Sequence, residues 1–282
     1  GDAANTSTYF RMTPDRHQAD IAIVGAGIAG IATAVEALAR GRRVLILDRD
    51  VEASLGGLAC EAMGGLWFAG TPLQRRYRIQ DSIELGYADW LSFGELGDDD
   101  EWPRAWARRY VERCVPDVFE WLTGLGVRFM PMPMWVERGL HRQGNSVPRF
   151  HFVWGTGRAL IAALIARLRD LPQRGRFEIR FGHRVDSLVT RDGKVTGVVG
   201  ATEPEGRPFE VAADAIVIAA GGINGDIDRV RRHWHADWGH PPPVILNGSH
   251  RFADGRLHDA AAAAGANVTH LDWQWNYAAG IR

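Results

Sequence analysis

Apolar positions near the start of the chain fall into two short runs, Ile21–Val24 and Val44–Leu47, each of strand length. Between them apolar residues recur at helical spacing from Ile28 to Arg40, and Gly41 stands where a helix C-cap is expected. Residues 73–150 read as mostly helical. Asp81 is placed to cap a helix running through Trp90, and a second helix from Trp102 to Leu125 is expected to be interrupted near Pro116. The acidic run Asp98–Glu101 reads as the start of that helix, with Pro103 in its first turn, rather than as a metal site. Arg158 to Leu171 is helical in period. From Phe177 the pattern alternates as in strands. FEIRFGHRVDSLVT and KVTGVVGAT flank the turn signal Asp192-Gly193, and RPFEVAA supplies the third strand of a small antiparallel meander. Ala215–Ala220 reads as a buried strand, Val230–Pro243 as a loop, and Ala253–Ala266 as an alanine-rich helix stopped by Gly265.

The two N-terminal strands and their helix enclose Gly25, Gly27 and Gly30 in the order G-x-G-x-x-G, and the second strand ends on Asp48. Gly25 lets the chain turn out of the strand. Gly27 lets a pyrophosphate approach the backbone, and Gly30 lets the helix pack close to the strand. The helix start then offers unpaired N–H groups to the phosphates, and Asp48 can accept ribose hydroxyls. An acid at this position disfavours a 2′-phosphate, which leaves FAD or NAD. The glycine pairs Gly56-Gly57 and Gly64-Gly65 suit a backbone running against a flat or charged ligand, because the residues between them are too apolar for a surface loop. Gly155 and Gly157 mark a second possible anion-facing helix start. Arg149 and His151 share a face if their segment is a strand; both could reach a ligand or serve structure. MPMPMW at 130–135 is an irregular apolar segment, part of a substrate wall or ordinary packing. His233 and His235 form a pair with no third metal ligand.

The chain has 282 residues, 46% of them hydrophobic, enough for one large domain or two small ones. A net charge of −1 argues against a nucleic-acid partner. Two cysteines, Cys60 and Cys114, without metal or redox spacing fit a reducing cytoplasm. No apolar run approaches the roughly 18 residues needed to cross a membrane. Eleven tryptophans are expected mostly in the core, with some lining a pocket for a flat apolar ligand. Residues 1–18 read as an N-terminal extension. Met12 is a candidate start, and residues 1–11 are either a cloning remnant or a natural disordered extension.

Five segments in order, VGAGIAG with Asp48, LGGLACEAMGG, NSVPRFHFVWGTG, VIAAGGING and ADGRLHDAAAAAGA, carry a resemblance to a known family. The chain resembles the flavoproteins grouped with fumarate reductase, the succinate dehydrogenase flavoprotein and the 3-ketosteroid dehydrogenases. The resemblance implies an α/β fold, a Rossmann-like FAD-binding domain over residues 19–282, with a parallel sheet, helices and a three-stranded antiparallel meander. It implies non-covalent FAD, since Arg49–Leu55 lacks the histidine that carries flavin in some members. The cofactor residues implied are Gly25, Gly27, Ile28, Ala29 and Gly30 at the pyrophosphate, and Asp48, with Arg49 beside it, at the ribose. Gly56, Gly57, Leu58, Ala59, Gly64 and Gly65 would lie along the pyrophosphate, ribityl chain and isoalloxazine. Arg184 and Val185 would meet the adenine through backbone groups, and Ala219, Ala220, Gly221 and Gly222 would pass the adenosine. Asp254 would stand in for the acid of a Gly-Asp-Gly motif that here begins with Ala253.

The chemistry implied is dehydrogenation or reduction of a carbon–carbon bond next to a carbonyl, on a small-molecule substrate and with an electron donor or acceptor as partner. Tyr277, among Trp273 and Trp275, is the candidate substrate-facing group, with a core role as the alternative. The aromatic content leans towards a bulky apolar substrate such as a steroid. Family chains are longer and continue into a cap domain and a return segment. Neither is recognisable here, so the resemblance implies the N-terminal portion of a larger enzyme. The readings that compete with this are a flavin-binding fragment without turnover of its own, and a flavoprotein oxidase or hydroxylase of the same fold.

Overall fold

The computed structural model describes residues 13–139 and 141–275. Two compact units divide the chain: one holds the segments up to Leu58 and from Asp170 onward, the other residues 59–169.

The first unit opens with β1 (Asp15–Val24), α1 (Ile28–Ala39) and β2 (Val44–Leu47). All four β2 residues are buried, and α1 buries Ile31, Ala34, Val35 and Leu38, one stripe of a 3.6-residue helix. Gly41, at φ 75°, ends the helix as expected. β1 starts six residues before the apolar run. Its polar first half is held by pairing with a later strand rather than by its own burial pattern.

The second unit follows. It contains β3 (Gly65–Trp67), α2 (Pro72–Arg76), α3 (Ile83–Phe93), α4 (Glu101–Arg113), α5 (Glu120–Gly124), β4 (Phe150–Phe152) and α6 (Thr156–Asp170). The interruption near Pro116 is a π-helical turn over Cys114–Phe119 between α4 and α5, the expected response to a proline that cannot donate in mid-helix. Ser82, not Asp81, caps α3, because Asp81 is drawn into an ion pair described below. β3 and β4 form a two-stranded antiparallel sheet over a core of Phe68, Cys114 and Phe119.

Back in the first unit come β5 (Phe177–Arg180), β6 (His183–Arg191), β7 (Lys194–Thr202), β8 (Pro208–Ile218), α7 (Ile227–Arg232) and α8 (Arg256–Ala263). The strand expected over 177–190 is therefore two strands. Gly182, at φ 65°, bends the chain between them, so β5 joins β2 while β6 joins the meander. The turn at Asp192 and Gly193 has positive φ at both residues, as a tight hairpin requires. One six-stranded sheet results, in the order β5-β2-β1-β8-β7-β6. β5, β2, β1 and β8 run parallel, and β8, β7 and β6 form the antiparallel meander.

The third meander strand and the strand at 215–220 turn out to be one element, β8. Its first half faces β7 while its whole length follows β1. It is not the buried strand expected: Asp214, Ala215 and Ile218 are exposed. The segment 230–243 likewise begins in helix, at the end of α7.

The tryptophans correct a further expectation. Trp102, Trp106, Trp135, Trp154, Trp238, Trp273 and Trp275 are exposed rather than in the core. On α4 the reason is helical phase: Ala107 and Val111 face inward, which leaves Trp102 and Trp106 on the opposite side.

Candidate cofactor site

The site is built at the turn between β1 and α1. Gly25 leaves the strand at φ 108°, and a Cβ there would lie 2.4 Å from the Ala219 carbonyl oxygen. A Cβ on Gly30 would lie 1.9 Å from the Gly25 carbonyl oxygen. Both glycines are fixed by close packing of the chain on itself. Gly27 differs. It caps α1 at an ordinary φ of −78°, no side chain caps the helix beside it, and a Cβ there would meet nothing within 4 Å. The exposed Ile28 and Ala29 follow. This helix start thus combines first-turn N–H groups that no capping side chain covers with open space in front of them, which suits a pyrophosphate.

Three segments close around the turn. Gly56 donates its N–H to the Ala26 carbonyl at 2.9 Å and forms a parallel bridge with Gly27. Gly57 follows at φ 56°, where a Cβ would sit 3.7 Å from the Gly27 Cα, and Leu58 is exposed beyond it. Ala219 donates its N–H to the Val24 carbonyl at 2.7 Å, which runs Ala219 and Ala220 past Gly25. Gly221 turns at φ 79° beside Ala253, just before Asp254.

Asp48 is held more tightly than the sequence suggested. One carboxylate oxygen accepts the Ala26 N–H at 2.6 Å, and the other accepts the Asp50 N–H at 2.7 Å. The acid therefore braces the glycine turn itself, and each oxygen retains a lone pair for a ribose hydroxyl. His183 donates its N–H to the Asp48 carbonyl at 2.8 Å, which brings Arg184 and Val185 alongside. Val185 points into the core, whereas the Arg184 side chain binds Asp186 and Glu203. Arg49 binds Glu203 and Asp254. Glu203 has its carboxyl held below the usual carboxylate range, chiefly by the Arg49 guanidinium and also by that of Arg184.

In the second unit, Ala59, Gly64 and Gly65 lie against the start of α6 and β4. A Cβ on Gly64 would be 2.7 Å from the Gly157 nitrogen, and one on Gly65 would be 3.0 Å from the Phe152 ring. These glycines thus permit a close approach to their own chain. The start of α6 is also occupied: the N–H groups of Gly157, Arg158 and Ala159 donate to Ala62, to the Thr156 hydroxyl and to Gly155. It does not resemble the open start of α1, so the second anion site expected there is not formed in this way.

Arg149 and His151 are both fully buried. Arg149 grips Asp81 through Nε and Nη2 at 2.9 Å each, and its Nη1 donates to Asp89 and Asn145. His151 lies 2.7 Å from the Arg149 carbonyl through Nδ1 and 2.8 Å from the Thr71 hydroxyl through Nε2. The carbonyl requires a donor, so Nδ1 carries the proton and Nε2 accepts from Thr71. Burial pushes the His151 pKa down to about 4. Both residues are structural. In the 130–135 segment Met130, Met132, Met134 and Trp135 are exposed, and Met134 bridges Phe150. The His235 ring stacks on Trp238, and among the described residues no three acids, histidines or cysteines gather as a metal site. Tyr277 lies outside the described residues. Sequence reasoning missed Glu203, Asp186 and Arg256, whose partners are distant in the chain and leave no local signal.

A family model described as an FAD binding domain matches residues 20–276. A KsdD-like steroid dehydrogenase of Mycolicibacterium smegmatis is 42% identical over 93% of this chain and 51% of its own length. A second, from Mycobacterium tuberculosis, is 41% identical over 93% of this chain and 49% of its own. The chain thus spans about half the length of the curated relatives it matches. Among solved structures, the 3-ketosteroid-Δ4-(5α)-dehydrogenase of Rhodococcus jostii aligns with a TM-score of 0.72 and 26% identity, over 95% of this chain and 57% of that one. A flavocytochrome c3 fumarate reductase also aligns with a TM-score of 0.72, at 22% identity, over 91% of this chain and 42% of that one, and shows the same fold.

Proposed function

The chain belongs to the FAD binding domain family, and from that premise we propose that it is the FAD-binding part of an oxidoreductase that dehydrogenates or reduces a carbon–carbon bond adjacent to a carbonyl, on a bulky apolar substrate of steroid type. The observation that carries the substrate class is the 42% identity to a KsdD-like steroid dehydrogenase across nearly the whole chain.

The residues present suit FAD. In the first unit the N–H groups of Ile28, Ala29 and Gly30 would hold the pyrophosphate, with Gly27 and Gly57 giving it room. Asp48 would hold the adenosine ribose, and the backbone of Arg184 and Val185 the adenine. Arg49, Gly56, Leu58, Ala219, Ala220, Gly221, Gly222 and Asp254 complete that unit's share. In the second unit Ala59, Gly64 and Gly65 would follow the ribityl chain and flavin ring. Bound FAD supplies the hydride chemistry at flavin N5. The protein's tasks are to hold cofactor and substrate in register, to exclude water and to manage a proton. Tyr277 is the candidate for the proton. The substrate and an electron donor or acceptor are the partners proposed, and the cytoplasm the setting, a reading supported by the two widely spaced cysteines. No helix among the described residues is long and apolar enough to cross a membrane.

The test is a visible absorption spectrum of the purified protein, followed by reduction of an artificial electron acceptor with 4-androstene-3,17-dione and oxidation of a reduced viologen with fumarate. Flavin bands and steroid-dependent dye reduction are expected. Flavin bands with fumarate reduction alone would overturn the steroid reading. Flavin bands without either activity would favour the second reading, a flavin-binding chain without turnover of its own.

A further inference from the structure

Six charged side chains of the first unit close into a ring. Arg49 donates through Nε to Glu203 Oε2 at 2.8 Å and through Nη2 to Oε1 at 3.2 Å. Glu203 Oε1 also accepts Arg184 Nη1 at 2.8 Å. Arg184 binds both oxygens of Asp186, at 2.8 and 3.2 Å. Asp186 Oδ1 accepts Arg256 Nη1 at 3.2 Å. Arg256 Nε faces Asp254 Oδ2 at 3.7 Å, and the same oxygen accepts Arg49 Nη1 at 3.1 Å, which closes the circuit. Three cations and three anions alternate, all partly buried, with no net charge.

The ring ties together three segments far apart in sequence: the residue after Asp48, the strands β6 and β7 with the turn after them, and the start of α8. These segments carry Asp48, Arg184, Val185 and Asp254. Arg49 is pinned from another side as well, with its guanidinium 4.2 Å from the centre of the Phe252 ring. Each carboxylate bridges two arginines, and Glu203 is the member that holds both of its arginines at 2.8 Å, while the cross-segment bonds of Asp186 and Asp254 are 3.2 and 3.1 Å. Without its charge, Arg49 and Arg184 would stand close together with one shared counter-ion fewer, and both are long side chains with much freedom to lose.

We propose that this ring is a positioning device for the adenosine half of the dinucleotide, with Glu203 as its central positioning residue. The inference rests on the FAD reading above and adds a residue that does not itself touch the nucleotide. By spending all three guanidinium charges on carboxylates, the ring also leaves no spare cation for a 2′-phosphate, in keeping with Asp48 at the ribose.

The experiment titrates FAD into wild type, Glu203→Gln and Glu203→Asp, whole chain in each case, and follows flavin fluorescence, with circular dichroism to verify folding. Glu203→Gln keeps the shape and removes the charge, and it should weaken FAD about tenfold through the lost charge-assisted bonds. Glu203→Asp keeps the charge and should stay within about threefold of wild type on the same scale. The reverse order, with Gln retained and Asp weakened, would show that Glu203 only fills space and would overturn the inference. So would two folded variants that bind like wild type. A wild type that takes up no FAD would overturn the cofactor reading itself, and the inference with it.

Discussion

The three glycines of the β1–α1 turn have different jobs in the structure, and alanine at each should separate them. At Gly27 an alanine methyl enters open space at an allowed φ. The cap position prefers glycine to alanine by about 0.5–1 kcal/mol, and the stiffer unfolded chain returns about 0.4–1 kcal/mol, so the stability of Gly27→Ala should lie within about 0.5 kcal/mol of wild type. The same methyl occupies the space in front of the helix start. Displacing a pyrophosphate oxygen from one N–H costs a charge-assisted hydrogen bond, about 1.5–3 kcal/mol, or roughly 10- to 150-fold in FAD affinity. At Gly25 the methyl would meet the Ala219 carbonyl oxygen at 2.4 Å with φ at 108°, and strain plus overpacking should cost about 2–5 kcal/mol of stability. At Gly30 it would meet the Gly25 carbonyl oxygen at 1.9 Å, a clash worth at least about 1–3 kcal/mol. Urea unfolding and FAD titration on the three variants read both quantities. If Gly27→Ala lost as much stability as Gly30→Ala, or bound FAD like wild type, the assignment of Gly27 to the ligand would be wrong.

The buried Arg149 makes a second prediction. Arg149→Met should strand Asp81 and Asp89 without their cation and cost about 3–5 kcal/mol in urea unfolding, with much of the loss recovered when both aspartates are also made asparagine. A loss under about 1 kcal/mol would contradict the buried-pair account. His151 gives a pH dependence. Its folded pKa of about 4 lies below its unfolded value of 6.5, so the unfolded chain binds the proton first and stability falls as pH drops through that window. At about 1.4 kcal/mol per pH unit, wild type should lose about 3 kcal/mol relative to His151→Gln between pH 7 and pH 4; parallel stability curves for the two proteins would refute it.

The dinucleotide turn was legible in the sequence because all its determinants are local. Strand, glycines, helix and acid occupy Ile21–Asp48, and each needs only its neighbours to be recognised. The hairpin at Asp192-Gly193 and the break at Pro116 were legible for the same reason. What was not legible depends on partners far along the chain. Asp81 looked like a helix cap until Arg149 claimed it. The polar residues 15–18 became strand only because β8 lies beside them. Gly64 and Gly65 read from sequence as glycines facing a ligand, whereas the contacts that exclude a side chain there come from Gly157 and Phe152, residues far along the chain. The tryptophans show the limit of composition: a residue type fixes how much apolar area exists, and only the helix phase decides which way it faces.

The position of β8 between β1 and the meander carries a consequence in time. Ala22 of β1 pairs with Ile216 of β8, so the central pair of the sheet joins residues made far apart during synthesis. At about 5–20 residues per second a ribosome needs roughly 10–40 s to cross that interval. Throughout it, β1, α1 and β2 wait with an apolar strand edge unsatisfied, while residues 59–169 emerge as a contiguous stretch able to form their own unit first. The nascent chain should therefore be most dependent on chaperones in this window, and its need for them should end abruptly once β8 has cleared the exit tunnel.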